Sequence, residues 1–138
     1  MIAPPEEVIV VDASAIVALV SDPGGTGQWV GQELGSRPLV APEVMPFEVA
    51  NALRRRLLAG TIDGAAAGRA LERLRALPVA MFPFAQEMDR AWALRANLTM
   101  YDASYVALAE LLDAPLVTLD ARIARAPGVR CVVRAFGV

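Results

Sequence analysis

Short, almost wholly apolar runs recur along this chain and are separated by stretches with helical periodicity, and that alternation limits the folds open to it. The runs are Val8 to Val11, Leu39 to Ala41, Val79 to Phe84 with Pro83 inside it, Leu116 to Leu119, and Cys131 to Val133. Strands that are apolar throughout belong to a parallel sheet covered on both faces, and parallel strands need helical crossovers. Helices are predicted over Ser14 to Val20, weakly over residues 27 to 35, and over Pro42 to Ala59, Asp63 to Leu77 and residues 86 to 97. A further helix opens at Asp102 and runs to Leu112, and a short one follows Asp120. The expected architecture is α/β: a three-layer sandwich with a mainly parallel central sheet flanked by helices. No repeat, low-complexity tract or long linker divides the 138 residues, which read as a single domain over 1–138.

The composition, 56% hydrophobic and 20% charged, is that of a chain that folds around a core. Its mean hydropathy of +0.45 is high for a soluble monomer and calls for a membrane or for apolar surface covered by another chain. The longest apolar stretch, Val8 to Val20, is cut by Asp12 and falls short of the roughly 18 residues that a membrane span needs. Burial against a partner is therefore the expectation, with no membrane. Glu6 and Glu7 precede this stretch where a signal peptide would carry Lys or Arg, so a cytoplasmic protein is expected. A lone cysteine, Cys131, rules out an internal disulfide, and the absence of histidine rules out a Cys/His zinc site. Any metal must be held by oxygen, which favours Mg²⁺, Mn²⁺ or Ca²⁺.

Charge is unevenly placed. The net charge is −2, yet residues 1 to 36 carry five acids and no base, while the remainder carries all 13 arginines against ten acids. Arginine suits bidentate phosphate contacts, although solvated helix faces explain any single one equally well. In the helix from Pro42 to Ala59, Phe47, Ala50, Leu53, Leu57 and Leu58 are expected to face the core, with Gly60 ending it. Glu48, Asn51 and Arg55 form a polar stripe on the same helix. The glycines of Gly24-Gly25-Thr26-Gly27 lack the Gly-Lys-Ser/Thr ending of a nucleotide loop and read as a turn.

Four acids stand out. Asp12 and Asp120 each close a predicted strand, at the sheet edge where α/β folds bind ligands. Asp12, Asp102 and Asp120 also suit helix N-caps, a bland role worth about 1 kcal/mol each. Glu48 lies inside a helix between Phe47 and Val49, with Arg54 or Arg55 as alternative ion-pair partners. No arginine occurs within the five residues before any of the four, so ionised carboxylates meeting in one crevice would repel, and one or two divalent cations would relieve that repulsion.

The strings that carry these acids are Val-Val-Asp12-Ala-Ser14-Ala, Phe-Glu48-Val-Ala-Asn51-Ala-Leu, Tyr101-Asp102-Ala-Ser-Tyr105-Val-Ala-Leu-Ala and Leu-Val-Thr118-Leu-Asp120-Ala-Arg122. In this order and spacing the chain resembles PIN-domain ribonucleases, in particular the VapC toxins of toxin–antitoxin pairs. The resemblance implies a PIN-like fold and a metal-dependent endoribonuclease leaving 5′-phosphate and 3′-hydroxyl ends. It implies that Asp12, Glu48, Asp102 and Asp120 bind Mg²⁺ or Mn²⁺, with Ser14, Asn51 and Thr118 lining or orienting the site. An RNA substrate, a cognate antitoxin and a homodimer are the implied partners. Tyr101 and Tyr105 are aromatic and suited to base stacking, but aromatics at helix starts are more often core, and both are left out of the expected site.

The rivals are specific. Receiver and dehalogenase-like phosphotransfer folds also place Asp at strand ends, but they use a lysine, and this chain has none. Two alternatives within the same fold remain: a non-toxin RNA-processing nuclease, and a module that binds RNA or protein without cutting.

Overall fold

The computed structural model describes residues 7–137 of the chain, so Glu6 and the extreme ends of the expected 1–138 domain lie outside the described residues. Five strands are present: β1 (Ile9–Val11), β2 (Leu39–Pro42), β3 (Val79–Phe82), β4 (Leu116–Thr118) and β5 (Val133–Ala135). Between β1 and β2 lie α1 (Ala13–Ser21) and α2 (Gly25–Leu34), and between β2 and β3 lie α3 (Met45–Leu58) and α4 (Gly64–Ala76). A 3-10 turn (Phe84–Gln86), α5 (Met88–Ala93) and α6 (Met100–Leu112) lead to β4, and α7 (Ala121–Arg125) leads to β5.

Every strand pairing is parallel, in the order β3-β2-β1-β4-β5. Central β1 pairs with β2 and β4, with Val10 opposite both Val40 and Leu116. All three β1 residues are fully buried, which is why the run is Ile-Val-Val with no polar alternation. Helix α6 packs across β1, β2 and β4 and against α5, while α1 packs against α2, α3 and α4. This is the three-layer sandwich expected from the alternation of runs. Among the described residues no helix is long and apolar enough to cross a membrane.

The chain winds outward from β1 to β2 and β3, then returns to place β4 on the other side of β1. The topological switch point therefore lies between β1 and β4, where the crevice beyond the carboxyl ends is open to ligands. Asp12 follows β1 directly, and Asp120 follows β4 by two residues.

Several expected boundaries move. The last strand lies at Val133–Ala135, which leaves Cys131 ahead of it, half-buried, its thiol pushed up to about 11 mainly by burial. Gly25, Thr26 and Gly27 belong to α2 rather than to a turn. A Cβ on Gly27 would stand 2.0 Å from the Asp22 carbonyl oxygen, so glycine here permits the close approach of α2 to the end of α1. In α3 the buried face is Met45, Val49 and Leu53; Phe47, Ala50, Leu57 and Leu58 are exposed. Apolar residues occur on more than one side of this helix, and packing against α1 and α4 selects the i, i+4, i+8 stripe over the expected one.

Glu87, at the start of α5, is 1% exposed, and neither carboxylate oxygen has a hydrogen-bond partner among the described residues. Burial, with Glu43 nearby, pushes its carboxyl from the ordinary 4.5 up to about 7. The folded chain thus holds a proton that the unfolded chain releases between those two values, so this residue's contribution to stability falls as pH rises from about 4.5 to about 7 and is constant above. Glu87→Gln is expected to match the wild type at pH 4 and to be more stable at pH 8 by up to about 3 kcal/mol. Urea unfolding at the two pH values checks this, and equal stabilities at pH 8 would refute it.

Candidate active site

At the carboxyl edge of the sheet a cleft of about 1020 Å³ is lined by Asp12, Glu48, Asp102 and Asp120, together with Ser14, Asn51, Arg55, Arg56 and Arg122. Each acid stands at the start of a helix: Asp12 just before α1, Glu48 and Asp102 in the first turns of α3 and α6, and Asp120 just before α7. Four helix N-termini, with their partial positive charge, therefore support the carboxylates gathered there.

Asp12 is the most deeply placed, at 5% exposure. Its Oδ2 accepts hydrogen bonds from the Thr118 hydroxyl at 2.6 Å and the Ser14 hydroxyl at 2.8 Å. Each hydroxyl is itself fixed by the chain, since Thr118 Oγ1 accepts from the Asp120 amide at 2.9 Å and Ser14 Oγ from the Leu119 amide at 3.0 Å. Both hydroxyl protons are thereby directed to Asp12, an arrangement suited to an ionised acceptor. Burial still raises the Asp12 carboxyl, with Asp120 adding to it, against the lowering effect of Thr118, Ser14 and the Ala13 amide.

Glu48 Oε1 accepts from the Tyr105 hydroxyl at 2.7 Å. Its carboxyl is raised by burial, then by Asp12 and Asp102, with Tyr105 opposing. Asp102 is raised by burial and by Asp12 and Asp120. It is not the cap of its helix: Thr99 holds that position, its Oγ1 accepting from the Asp102 amide at 3.2 Å. Asp12 occupies a cap position without a side-chain capping bond, so of the three aspartates only Asp120 caps, accepting from the Arg122 amide at 3.0 Å.

Asp120 differs from the other three. Arg122 grips both of its oxygens, Nε to Oδ1 at 2.9 Å and Nη2 to Oδ2 at 2.7 Å, and this pairing lowers its carboxyl. The local counter-charge absent before each acid is thus present two residues after this one. Glu48 makes no ion pair with Arg54 or Arg55 among the described residues; its partner is Tyr105. Tyr105 is fully buried, as a core aromatic would be, and its hydroxyl also serves the site; it lies one helical turn beyond Asp102, a spacing that signals a shared face. Asn51 lines the cleft without a hydrogen bond to any of the four acids among the described residues.

Three carboxyls raised by burial and mutual repulsion, in an oxygen-only donor set, fit a divalent cation. Among the described residues no three acids are arranged to hold one as they stand, in keeping with Arg122 occupying Asp120 and Tyr105 occupying one oxygen of Glu48.

The model of one domain family, described as the PIN domain, matches residues 9–129. The chain is 39% identical over 125 residues to Ribonuclease VapC9 of Mycobacterium tuberculosis, covering 91% of this chain and 95% of that relative. Among solved structures it resembles PAE2754 from Pyrobaculum aerophilum, at 30% identity and a TM-score of 0.65, over 92% of this chain and 83% of that one. It also shares the fold of VapBC2 from Rickettsia felis, solved bound to a promoter DNA fragment, at 12% identity and a TM-score of 0.67, over 93% and 98% of the two chains.

If Arg122 competes with a cation for Asp120, Arg122→Gln frees both oxygens. The variant is expected to bind Mn²⁺ a few-fold more tightly than wild type in calorimetric titration without RNA. Equal or weaker binding would show that the guanidinium does not compete for this carboxylate.

Proposed function

The chain belongs to the PIN domain family, and on that premise we propose that it is a metal-dependent endoribonuclease, the toxin of a type II toxin–antitoxin pair. The observation that carries this is the single cleft uniting Asp12, Glu48, Asp102 and Asp120 at the switch point of the sheet. Ribonucleases of this family depend on a divalent metal, and Mg²⁺ or Mn²⁺ is the ion proposed for these four carboxylates. When bound, the cation supplies positive charge against the anionic transition state and lowers the pKa of water.

The residues of the chain prepare that site. Ser14 and Thr118 hold Asp12 in one orientation and favour its ionised form, and Tyr105 does the same for Glu48. Asp102 stands on a helix start that Thr99 caps independently, so its carboxylate is free of a structural task. Asp120 is released when Arg122 turns away from it. Asn51, exposed on α3 one turn beyond Glu48, is proposed to meet the substrate rather than the other acids. No histidine or lysine is present to act as general base, which leaves proton removal from water to the carboxylate site.

The substrate is RNA, and the partner is a small antitoxin covering exposed apolar side chains outside the cleft. A homodimer, a cytoplasmic location and a single functional domain complete the proposal. Adjacent coding sequence for a small antitoxin, and growth arrest on expression of the protein alone, distinguish a toxin from an RNA-processing nuclease of the same fold.

The purified protein is expected to cleave RNA with Mn²⁺ or Mg²⁺ and to stop in EDTA; cleavage that persists in EDTA defeats the mechanism. Asp102→Asn leaves the Thr99 cap in place, and Asp120→Asn keeps a capping side chain. Each is expected to lower cleavage by more than the roughly 10- to 100-fold typical of changes to a metal ligand's outer partners. Each should also lose part of the melting-temperature rise that Mn²⁺ produces in the wild type. Unchanged activity and an unchanged Mn²⁺ response in both variants would return these aspartates to a structural role.

A further inference from the structure

Two large aromatic side chains stand in the cleft without any part in the core. Phe47 is 77% exposed and Tyr101 is 60% exposed, and both line the cleft that holds the four acids. Each immediately precedes an acid, Phe47 before Glu48 at the start of α3 and Tyr101 before Asp102 at the start of α6. The α3 stripe that does pack inward is Met45, Val49 and Leu53, which turns Phe47 away from it. On α6 the buried run begins at Ala103, after Tyr101. A single exposed ring would be ordinary, but two in one cleft, each beside an acid of the site, form a feature that core packing does not account for.

Their surroundings point to what covers them. A protein-binding core would surround such rings with apolar neighbours and few charges. Here the same cleft is lined by four carboxylates and by Arg55, Arg56 and Arg122. Arg56 is anchored by a hydrogen bond to the Ser21 hydroxyl at 3.0 Å, whereas Arg55 makes no ion pair among the described residues. Exposed apolar residues such as Leu58, Trp92 and Val132 lie outside the cleft. Aromatic faces beside guanidinium groups are the means by which proteins hold single-stranded nucleic acid, with bases on the rings and phosphates on the arginines. The cleft volume of about 1020 Å³ is at the top of the roughly 300–1,000 Å³ range of small-ligand pockets, which suits more than one nucleotide.

We propose that Phe47 and Tyr101 are substrate-specificity residues that stack on two unpaired bases of the RNA beside the four acids, with Arg55 engaging the backbone phosphate. The inference rests on the nuclease reading and adds to it the two side chains that hold the unstacked bases. In a duplex each base face is already covered by its neighbours, so the rings have nothing to accept.

The test measures binding apart from cleavage. Fluorescence anisotropy is read in the Asp102→Asn background with a fluorescein-labelled, mixed-sequence single-stranded 20-mer RNA, and with the same strand annealed to its complement. Single strand is expected to bind more tightly than duplex. Phe47→Ala and Tyr101→Ala should each weaken single-strand binding by about tenfold, as expected for loss of one stacked base, with duplex binding unchanged. Phe47→Trp and Tyr101→Phe should restore it, Phe47→Leu should not, and melting temperatures should stay at the parent value.

Equal losses on single strand and duplex, full binding by Phe47→Leu, or no single-strand binding by the parent would each overturn the proposal. So would alanine variants that keep RNA affinity but no longer co-purify with the antitoxin, since the rings would then belong to a protein interface. Failure of the nuclease reading itself appears separately, as absence of Mn²⁺-dependent cleavage by the wild type whatever the anisotropy shows.

Discussion

The pair of hydroxyl bonds from Ser14 and Thr118 to Asp12 is the contact on which the rest of the site depends. Asp12 follows the central strand, Ser14 belongs to the helix that leaves it, and Thr118 ends the neighbouring strand across the switch point. One carboxylate oxygen therefore ties together β1, α1 and β4 where the crossover reverses direction. A carboxylate at 5% exposure is costly unless its acceptors are used, and the two hydroxyls together with the Ala13 amide offset part of that cost. Because both hydroxyls are in turn held by backbone amides of residues 119 and 120, the loop that carries Asp120 is placed by the same network.

From that anchor the electrostatics divide. Asp12, Glu48 and Asp102 each have raised carboxyls, from burial and from one another, while Asp120 is lowered by an exposed arginine. Strain of this kind, several like charges at four helix starts, is tolerated in folded proteins where a ligand or ion is to be held. Arg122 neutralises the least buried of the four acids with an exposed side chain, whereas Asp12 and Glu48 are held by neutral hydroxyl groups. The deep part of the cleft is thus preorganised by hydroxyls and its outer part by a solvent-facing ion pair.

Much of this was legible along the chain because strand burial and strand-end position leave direct marks. Ile9–Val11 and residues 116–117 are apolar at every position because helices cover both sheet faces, and the acids that follow them must emerge at the same edge. Glu48 and Asp102 were legible as acids beside apolar neighbours. Less legible were contacts between residues distant in sequence: nothing local says that Tyr105 reaches Glu48, 57 positions away, or that Thr99 rather than Asp102 caps α6. The Asp120–Arg122 pair is local, but its arginine follows the acid, so the residues ahead of Asp120 carry no sign of it.

The misassigned face of α3 has a physical cause that bears on function. A helix with one apolar stripe declares its buried side, but this one carries Met45, Val49 and Leu53 on the core side and Phe47, Leu57 and Leu58 elsewhere. Periodicity then admits two phases, and only packing against α1 and α4 chooses. If core formation alone set the composition, the second stripe would be polar, since exposed apolar surface favours association over solubility. That second stripe suits the proposed antitoxin, which would cover the part of it outside the cleft. Along α3 that face divides by position: Phe47, at the helix start, looks into the acidic cleft, while Leu57 and Leu58, near its end, lie beyond the cleft lining. One helix therefore supplies a core stripe, a cleft wall and an outer apolar patch, and the ambiguity in its sequence pattern is the consequence of carrying all three.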